Sequence, residues 1–217
     1  IEAGKSVLIE KPIATSKEKA RDLVALAAKH NVVLQVGHQE RFVLKAIGLY
    51  QIASCPMKIE TQRLTPYSLR GRDTSVTFDL MIHDIDLVLS LMGNMPSCIE
   101  GHTMQVALNH IDASLAFLDF GKTRARLTAS RADDVPVRTM RLVYPEGEVN
   151  IDFNAKTLVN GTPFDLDENF GQNPIAQDSL AAGLDSFISA IMGVHSVEIS
   201  GEDGLRAVIV ATEIDQN

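Results

Sequence analysis

The chain has 217 residues, of which 45% are hydrophobic, so it can bury a sizeable core. Its formal net charge is −8 and it contains no run of basic residues, which argues against a nucleic acid or an anionic membrane as partner. No apolar stretch approaches the length of a membrane span. Two cysteines, Cys55 and Cys98, form neither a metal-binding spacing nor a disulfide framework, so we expect a reducing, cytoplasmic compartment.

The first 40 residues predict a strand, a helix and a second strand. The run "SVLIEKP" is apolar up to Glu10 and is closed by Pro12, as expected of a short buried strand. Thr15 and Glu18 have the spacing of a capping box, and the apolar positions behind them predict a helix over residues 15–30. "VVLQVG" then supplies another buried strand, and such a unit is typical of a parallel sheet.

The remaining sequence alternates between β-rich segments and amphipathic helices. Strands are predicted over residues 58–66, 98–108, 112–120, 123–131 and 139–145, with hairpin turns at 120–122 and 145–147. Helices are predicted over residues 41–53, 78–92 and 176–192, and after Ser200, whose spacing from Asp203 is a cap signal. The pattern predicts an α+β fold, in which a mainly antiparallel sheet with helices on one face follows the partial parallel unit.

The predicted helix over residues 78–92 carries a candidate proton-transfer site. Asp79, His83 and Asp86 fall at i, i+4 and i+7 and would share one face. A carboxylate one turn from a histidine can fix its tautomer, which suits a general base. The alternative, a hydrogen-bonded core histidine flanked by solvated acids, stays open.

Polar residues also follow both predicted parallel strands. Ligands of open α/β sheets bind beyond the carboxyl ends of the strands, so residues there are candidates for a binding site. A plain surface turn is the alternative. The residues concerned are Glu10, Lys11 and Pro12 after the first strand, and His38, Gln39, Glu40 and Arg41 after the second.

Five segments in order resemble the glucose-fructose oxidoreductase and inositol dehydrogenase (Gfo/Idh/MocA) family. They are "AGKSVLIEKPIA", "GHQERF", "DLMIHDIDLVLSLMG", the β-rich half and "SGEDGLRAVIVATEI". The resemblance implies an NAD(P)-dependent oxidoreductase that transfers a hydride between the nicotinamide and a sugar or polyol hydroxyl. The motifs look most like those of members acting on nucleotide-linked or amino sugars.

The resemblance also implies roles for individual residues. Lys11, Asp79 and His83 would be catalytic: His83 exchanges the hydroxyl proton, Asp79 orients His83, and Lys11 polarises the oxygen. NAD or NADP would contact Glu10, Lys11, Pro12 and Gln39, and the sugar would contact His38, Arg41, Asp79 and His83. No metal is implied.

No G-x-G-x-x-G phosphate loop occurs in these 217 residues. We therefore expect an N-terminally truncated family member, with residues 1–40 as the remnant of a dinucleotide-binding domain and residues 41–217 as a β-rich substrate-binding and oligomerisation domain. A fragment of this kind is expected to be inactive alone. Gly4 is expected to cap the end of a helix that has been entered partway.

Two rival functions stay open at this stage. The "HDID" stretch contains a His-Asp doublet like that of metal-dependent HD phosphohydrolases, which need further ligands on neighbouring helices. A non-enzymatic oligomerisation or ligand-binding module would equally suit the alternating strands. In either the enzyme or the module, we expect a homo-oligomer formed through the open face of the sheet.

Overall fold

The computed structural model describes residues 1–67, 74–106 and 110–217. Its N-terminal part is the predicted parallel unit, built from β1 (Val7–Ile9), α1 (Lys17–His30) and β2 (Leu34–Val36). The two strands pair in parallel, with Val7 opposite Leu34. This prediction is therefore confirmed.

The start of α1 differs from the predicted capping box. The side chain of Ser16, in extended backbone, accepts a hydrogen bond from the Lys19 amide, so Ser16 and not Thr15 is the N-cap residue. Ahead of β1, Gly4 has a φ of +67° and closes a turn by donating its amide to the Ile1 carbonyl oxygen at 2.8 Å. No helix precedes it within the described residues.

The helix predicted over residues 41–53 is shorter than expected. It consists of α2 (Glu40–Ile47) and a separate 3₁₀ turn (Leu49–Gln51). Gly48 lies between them with a φ of +96° and ends α2, because its amide bonds back to the carbonyl oxygens of Leu44 and Lys45.

Seven of the described strands form one sheet in the order β4-β5-β6-β3-β7-β8-β9. All neighbours pair antiparallel except β3 and β6, which are parallel. The predicted α+β fold is thus confirmed. The strands are β3 (Lys58–Leu64), β4 (Cys98–Met104), β5 (Ala113–Asp119), β6 (Arg124–Ser130), β7 (Val137–Tyr144), β8 (Gly147–Asp152) and β9 (Thr157–Asn160).

Three features of the sheet differ from the sequence prediction. β8 and β9 were not predicted, although the predicted turn at 145–147 does lead from β7 into β8. The strand predicted over residues 98–108 ends at Met104. Residues 107 and 108 of that prediction lie outside the described part of the chain.

The helices that pack on the large sheet are α3 (Ile82–Met92) and α6 (Gly201–Gln216). A π-helical turn (Thr77–Met81) leads into α3 (Ile82–Met92), and α4 (Pro174–Gln177) is followed by α5 (Ser179–Ile191). The last helix, α6 (Gly201–Gln216), begins with the reciprocal capping box of Ser200 and Asp203, as the spacing predicted. None of the described helices is long and apolar enough to cross a membrane.

The alternation of side chains along the strands separates a buried face from an open one. Ile59, Leu127 and Leu142 are fully buried, whereas their chain neighbours Glu60 and Arg126 are on the open side. α6 contacts both α1 and α3, and one hydrophobic cluster joins the parallel unit to the large sheet. The division into domains at residue 40 stays a prediction.

Candidate active site

Lys11 lies directly beyond the carboxyl end of β1 and connects the two parts of the fold. Its ammonium donates a 2.5 Å hydrogen bond to the backbone carbonyl oxygen of Asp79 and lies 3.6 Å from the Asp79 carboxylate. Only 19% of the Lys11 side chain is exposed. This cation is therefore fixed against the π-helical turn that carries Asp79.

Glu10 and Gln39 form a hydrogen-bonded pair across the ends of β1 and β2. The Gln39 amide donates to Glu10 Oε1 at 3.1 Å. Gly37 makes this arrangement possible, because a Cβ built there would lie 2.8 Å from a Glu10 carboxylate oxygen. The pair offers a hydrogen-bond donor and an acceptor at the end of the parallel sheet.

Asp79, His83 and Asp86 each contact a residue that follows β1 or β2. Asp79 contacts Lys11, the Nδ1 of His83 lies 3.1 Å from Glu40 Oε1, and Asp86 binds Arg41. The predicted row of polar side chains therefore does face the strand ends. However, Asp79 belongs to the π-helical turn, a geometry often found at functional sites, and the carboxylate beside His83 is Glu40.

Glu40 is held by two arginines as well as by the histidine. Arg63 donates two hydrogen bonds to it, at 3.2 and 2.6 Å, and Arg138 Nη2 lies 2.5 Å from Oε1. Burial acts to raise the pKa of Glu40, but Arg63, His83 and Arg138 outweigh it and hold this pKa well below its usual value of 4.5. The carboxylate is therefore ionised at neutral pH.

The structure does not place His38 or Arg41 among the residues that line the cleft containing Lys11 and His83. The His38 side chain is 1% exposed, and within the described residues neither ring nitrogen has a hydrogen-bond partner. Burial lowers the pKa of His38 below 6.5, so the ring is neutral at pH 7. Arg41 donates two hydrogen bonds to buried Asp86, at 2.8 and 2.6 Å, and lies 3.4 Å from Asp203.

A cleft of about 340 Å³ opens between the parallel unit and the large sheet. Lys11 and His83 both line it, together with the Glu10–Gln39 pair. Asp79 is not among the lining residues and reaches the site through Lys11. The remaining lining residues are Gly37, Glu40, Val43, Arg138, Phe153, Lys156, Phe170, Ala176, Gln177 and Ser179.

Sequence reasoning missed the basic side of this cleft. Arg138 and Lys156 come from β7 and from the turn between β8 and β9, and neither stands in a motif. Glu40 was noted only as a residue near a strand end. One signal in the sequence could have indicated these residues. The alternation along β3 and β7 turns Arg63 inward among apolar neighbours, and a buried arginine needs an acidic partner.

The residues at the strand ends suit the nicotinamide end of NAD or NADP. A carboxamide needs both a donor and an acceptor, and the Glu10–Gln39 pair supplies them beside the Lys11 ammonium. The G-x-G-x-x-G loop that would bind the pyrophosphate of the cofactor does not occur in this sequence. The fit therefore concerns the reacting end of the cofactor. Pro12, the fourth predicted contact, is not among the residues lining the cleft.

The environment of the His-Asp doublet does not resemble a metal centre. Asp84 is buried and accepts two hydrogen bonds from Arg63, at 3.0 and 2.8 Å. Across residues 1–67, 74–106 and 110–217, no three His, Cys, Asp or Glu side chains are grouped so that they could hold a metal ion.

Comparisons with known proteins identify the family of the chain. Residues 1–38 match an oxidoreductase family described by its NAD-binding Rossmann fold. The UDP-N-acetylglucosamine 3-dehydrogenase of Acidithiobacillus ferrooxidans is 32% identical over 226 residues, which cover 99% of this chain and 71% of that protein. A solved structure of that enzyme has a TM-score of 0.86 at 31% identity, covering 99% of this chain and 70% of the other.

A second curated relative has a polyol in its name. The inositol 2-dehydrogenase of Rhizobium meliloti is 26% identical, over 96% of this chain and 70% of that protein. The family match and the relatives thus define an oxidoreductase of the type that uses a nicotinamide cofactor. More specifically, the chain belongs to the Gfo/Idh/MocA family, as the sequence motifs predicted.

Proposed function

We propose that the protein, as expressed from its complete reading frame, is an NAD(P)-dependent dehydrogenase that acts on a secondary hydroxyl of a sugar. One observation carries the proposal: Lys11 and His83 line the same cleft at the carboxyl ends of β1 and β2. An ammonium and an imidazole suit the oxidation of an alcohol by a hydride acceptor, because the ammonium can polarise the oxygen while the imidazole accepts its proton. Family membership supports the same class of reaction.

In the proposed reaction, Lys11 donates a hydrogen bond to the substrate oxygen, and Asp79 holds the ammonium in place. His83 accepts the hydroxyl proton and later releases it to solvent. When bound, NAD(P)⁺ supplies the acceptor for the hydride that leaves the carbon. The Glu10–Gln39 pair would orient the carboxamide, so that the hydride leaves the carbon atom whose hydroxyl group faces His83.

The substrate that the cleft favours is a nucleotide-linked sugar. Lys156 is exposed at the rim, and the lining has three cationic side chains against the two carboxylates of Glu10 and Glu40, although the chain has a net charge of −8. A diphosphate would be attracted to such a rim. The relative in Acidithiobacillus ferrooxidans, whose named substrate is a uridine diphosphate sugar, supports this choice over a neutral polyol.

The test is a substrate panel with a control built into it. Protein purified from the complete reading frame is mixed with UDP-N-acetylglucosamine, myo-inositol or scyllo-inositol, each with NAD⁺ and with NADP⁺, and formation of the reduced cofactor is followed. We expect turnover with the nucleotide sugar and less with either inositol. Turnover with the inositols alone would contradict the substrate class, and no turnover with any pair would contradict the proposal as a whole.

We further propose a homo-oligomer that forms through the open face of the large sheet. This face contains a depression of about 390 Å³ lined by residues of five strands, including Gln62, Thr128 and Val159, and it lies away from the Lys11–His83 cleft. Val159 is 66% exposed there. We also place the protein in the cytoplasm, where the exposed free thiols of Cys55 and Cys98 would stay reduced.

A further inference from the structure

His83 has a buried side and an open side, and the two ring nitrogens differ accordingly. Nδ1 is buried and lies 3.1 Å from Glu40 Oε1, close enough for an ion pair but outside hydrogen-bond geometry. No other partner of Nδ1 is found among the described residues. The side chain is 20% exposed and lines the cleft, so Nε2 is the nitrogen left to face a ligand.

We propose that Glu40 is the positioning residue of His83: its carboxylate keeps the proton on Nδ1 and thereby presents the Nε2 lone pair to the reacting hydroxyl, while Asp79 serves Lys11 instead. The part of this inference that concerns the reacting hydroxyl rests on the proposed dehydrogenase function. The part that concerns the tautomer of His83 does not. It assigns to α2 a role that the resemblance would give to the aspartate one turn before His83.

The surroundings of Glu40 suit a fixed hydrogen-bond acceptor. Arg63 and Arg138 approach it from β3 and β7 and keep it ionised, and Arg63 is itself held in place because it donates two hydrogen bonds to Asp84. An acceptor clamped in this way cannot rotate away from the imidazole. In the Ser-His-Asp triad of hydrolases, a carboxylate behind the histidine fixes its tautomer by the same chemistry.

The position of Asp79 indicates that the Asp79 and Glu40 carboxylates have different partners and different roles. Its side chain contacts the Lys11 ammonium at 3.6 Å and the Arg131 guanidinium at 4.0 Å, both of them cations. In this arrangement the alcohol proton moves to Nε2, and the hydride of the same carbon would go to bound NAD(P)⁺. The imidazolium that forms keeps its Nδ1 proton beside the Glu40 carboxylate, and the carbonyl oxygen that forms stays hydrogen-bonded to the Lys11 ammonium.

The tautomer can be measured without any substrate. Imidazole ¹⁵N shifts are recorded on labelled protein at alkaline pH, and the His83 signals are assigned by their loss in His83→Gln. In the wild-type protein we expect Nδ1 to carry the proton and Nε2 to be unprotonated. A wild-type His83 with its proton on Nε2 would overturn the proposal, whatever the variants do.

Matched variants separate positioning from simple structural support. Glu40→Gln removes the charge and should leave a mixture of tautomers, whereas Asp79→Asn and Arg138→Met should keep the wild-type tautomer. Arg138→Met also removes an ion pair of Glu40, so it controls for lost stability. A shift in Asp79→Asn with none in Glu40→Gln would assign the role to Asp79 and refute the inference.

Kinetics give the second readout. With the substrate found in the panel, Glu40→Gln should lower kcat roughly 100-fold with little change in KM, because the imidazolium that forms during the reaction loses the carboxylate that stabilises it. Glu40→Asp, which restores the charge, should recover part of that loss. Wild-type kcat in Glu40→Gln would overturn the inference alone, whereas the failure of every substrate in the panel would contradict the proposed function and leave the tautomer result standing.

Discussion

The ammonium of Lys11 donates a 2.5 Å hydrogen bond to the backbone carbonyl oxygen of Asp79 and thereby joins the end of β1 to the π-helical turn before α3. Because the two residues come from different layers of the fold, this contact fixes the distance between the strand ends and the helix that carries His83. Lys11 is thus both a candidate catalytic residue and a structural contact that holds the two sides of the cleft together.

Replacing this lysine should therefore affect both ligands. Lys11→Met removes the cation that polarises the substrate oxygen, so we expect kcat/KM to fall roughly 100-fold or more. Cofactor affinity should weaken as well, as measured by fluorescence titration with the reduced cofactor. Lys29→Met, an exposed residue of α1, is the control. Unchanged values for both quantities in Lys11→Met would remove Lys11 from the site.

Arg41 is expected to act on stability and not on substrate affinity. Arg41→Met leaves the buried Asp86 carboxylate without its bidentate partner, which should cost about 3–5 kcal/mol in the free energy of unfolding. Arg206→Met breaks only an exposed i,i+4 contact and should change that free energy by less than about 0.5 kcal/mol. Chemical denaturation compares the two. A stable Arg41→Met protein with a raised KM would restore the substrate-binding role predicted from the motif.

Buried His38 should make stability depend on pH. Burial lowers the pKa of His38 in the folded protein below its usual 6.5, so the unfolded chain binds this proton more readily. As the pH falls below about 6.5, the free energy of unfolding should decrease, by at most about 1.4 kcal/mol per pH unit from this group.

Denaturation of His38→Gln between about pH 7 and pH 5 tests this dependence, and the decrease should be smaller than in the wild-type protein. His195→Gln, in an exposed turn, should keep the wild-type slope. Equal slopes for His38→Gln and the wild-type protein would show that another group is responsible.

The proposed assembly can be tested by adding charge to the open face of the sheet. Gln62 and Thr128 are opposite each other on β3 and β6 and line the depression there. The double variant Gln62→Arg, Thr128→Arg would place two cations at the centre of an interface between copies, so light scattering should show a loss of oligomer. Asp22→Arg on α1 serves as a control that should not change the mass. A monomeric wild-type protein would contradict the assembly.

Local patterns were sufficient for the elements whose formation is local. The apolar runs that became β1 and β2 and the spacing of Ser200 and Asp203 identified their structures directly. β8 was missed because Gly147, Asn150 and Asp152 are residues that strands disfavour, and β9 was missed because it has only four residues. Pairing of β8 with β7 and of β9 with β8 decides their structure.

The candidate site could be predicted only where the chain itself brings residues together. Lys11 and Gln39 were predicted as site residues from their positions at the strand ends, and His83 was predicted from helical spacing. The partnership of Glu40 with Arg63 and Arg138 depends on how α2 packs over β3 and β7, which no periodicity reveals. Similarly, Asp79 contacts Lys11 and not His83, because the π-helical turn changes the angle between positions 79 and 83 that ideal α-helical spacing assumes.

The most direct test of the account is the turnover of His83→Ala in the protein expressed from its complete reading frame. Removing the proton acceptor should lower kcat by roughly 100-fold to 10,000-fold, while the dissociation constant of the cofactor changes little. His102→Ala, on an exposed part of β4, should retain wild-type kcat. A His83→Ala enzyme with near-normal kcat on its sugar substrate would contradict the account and leave His83 and Glu40 as a structural pair.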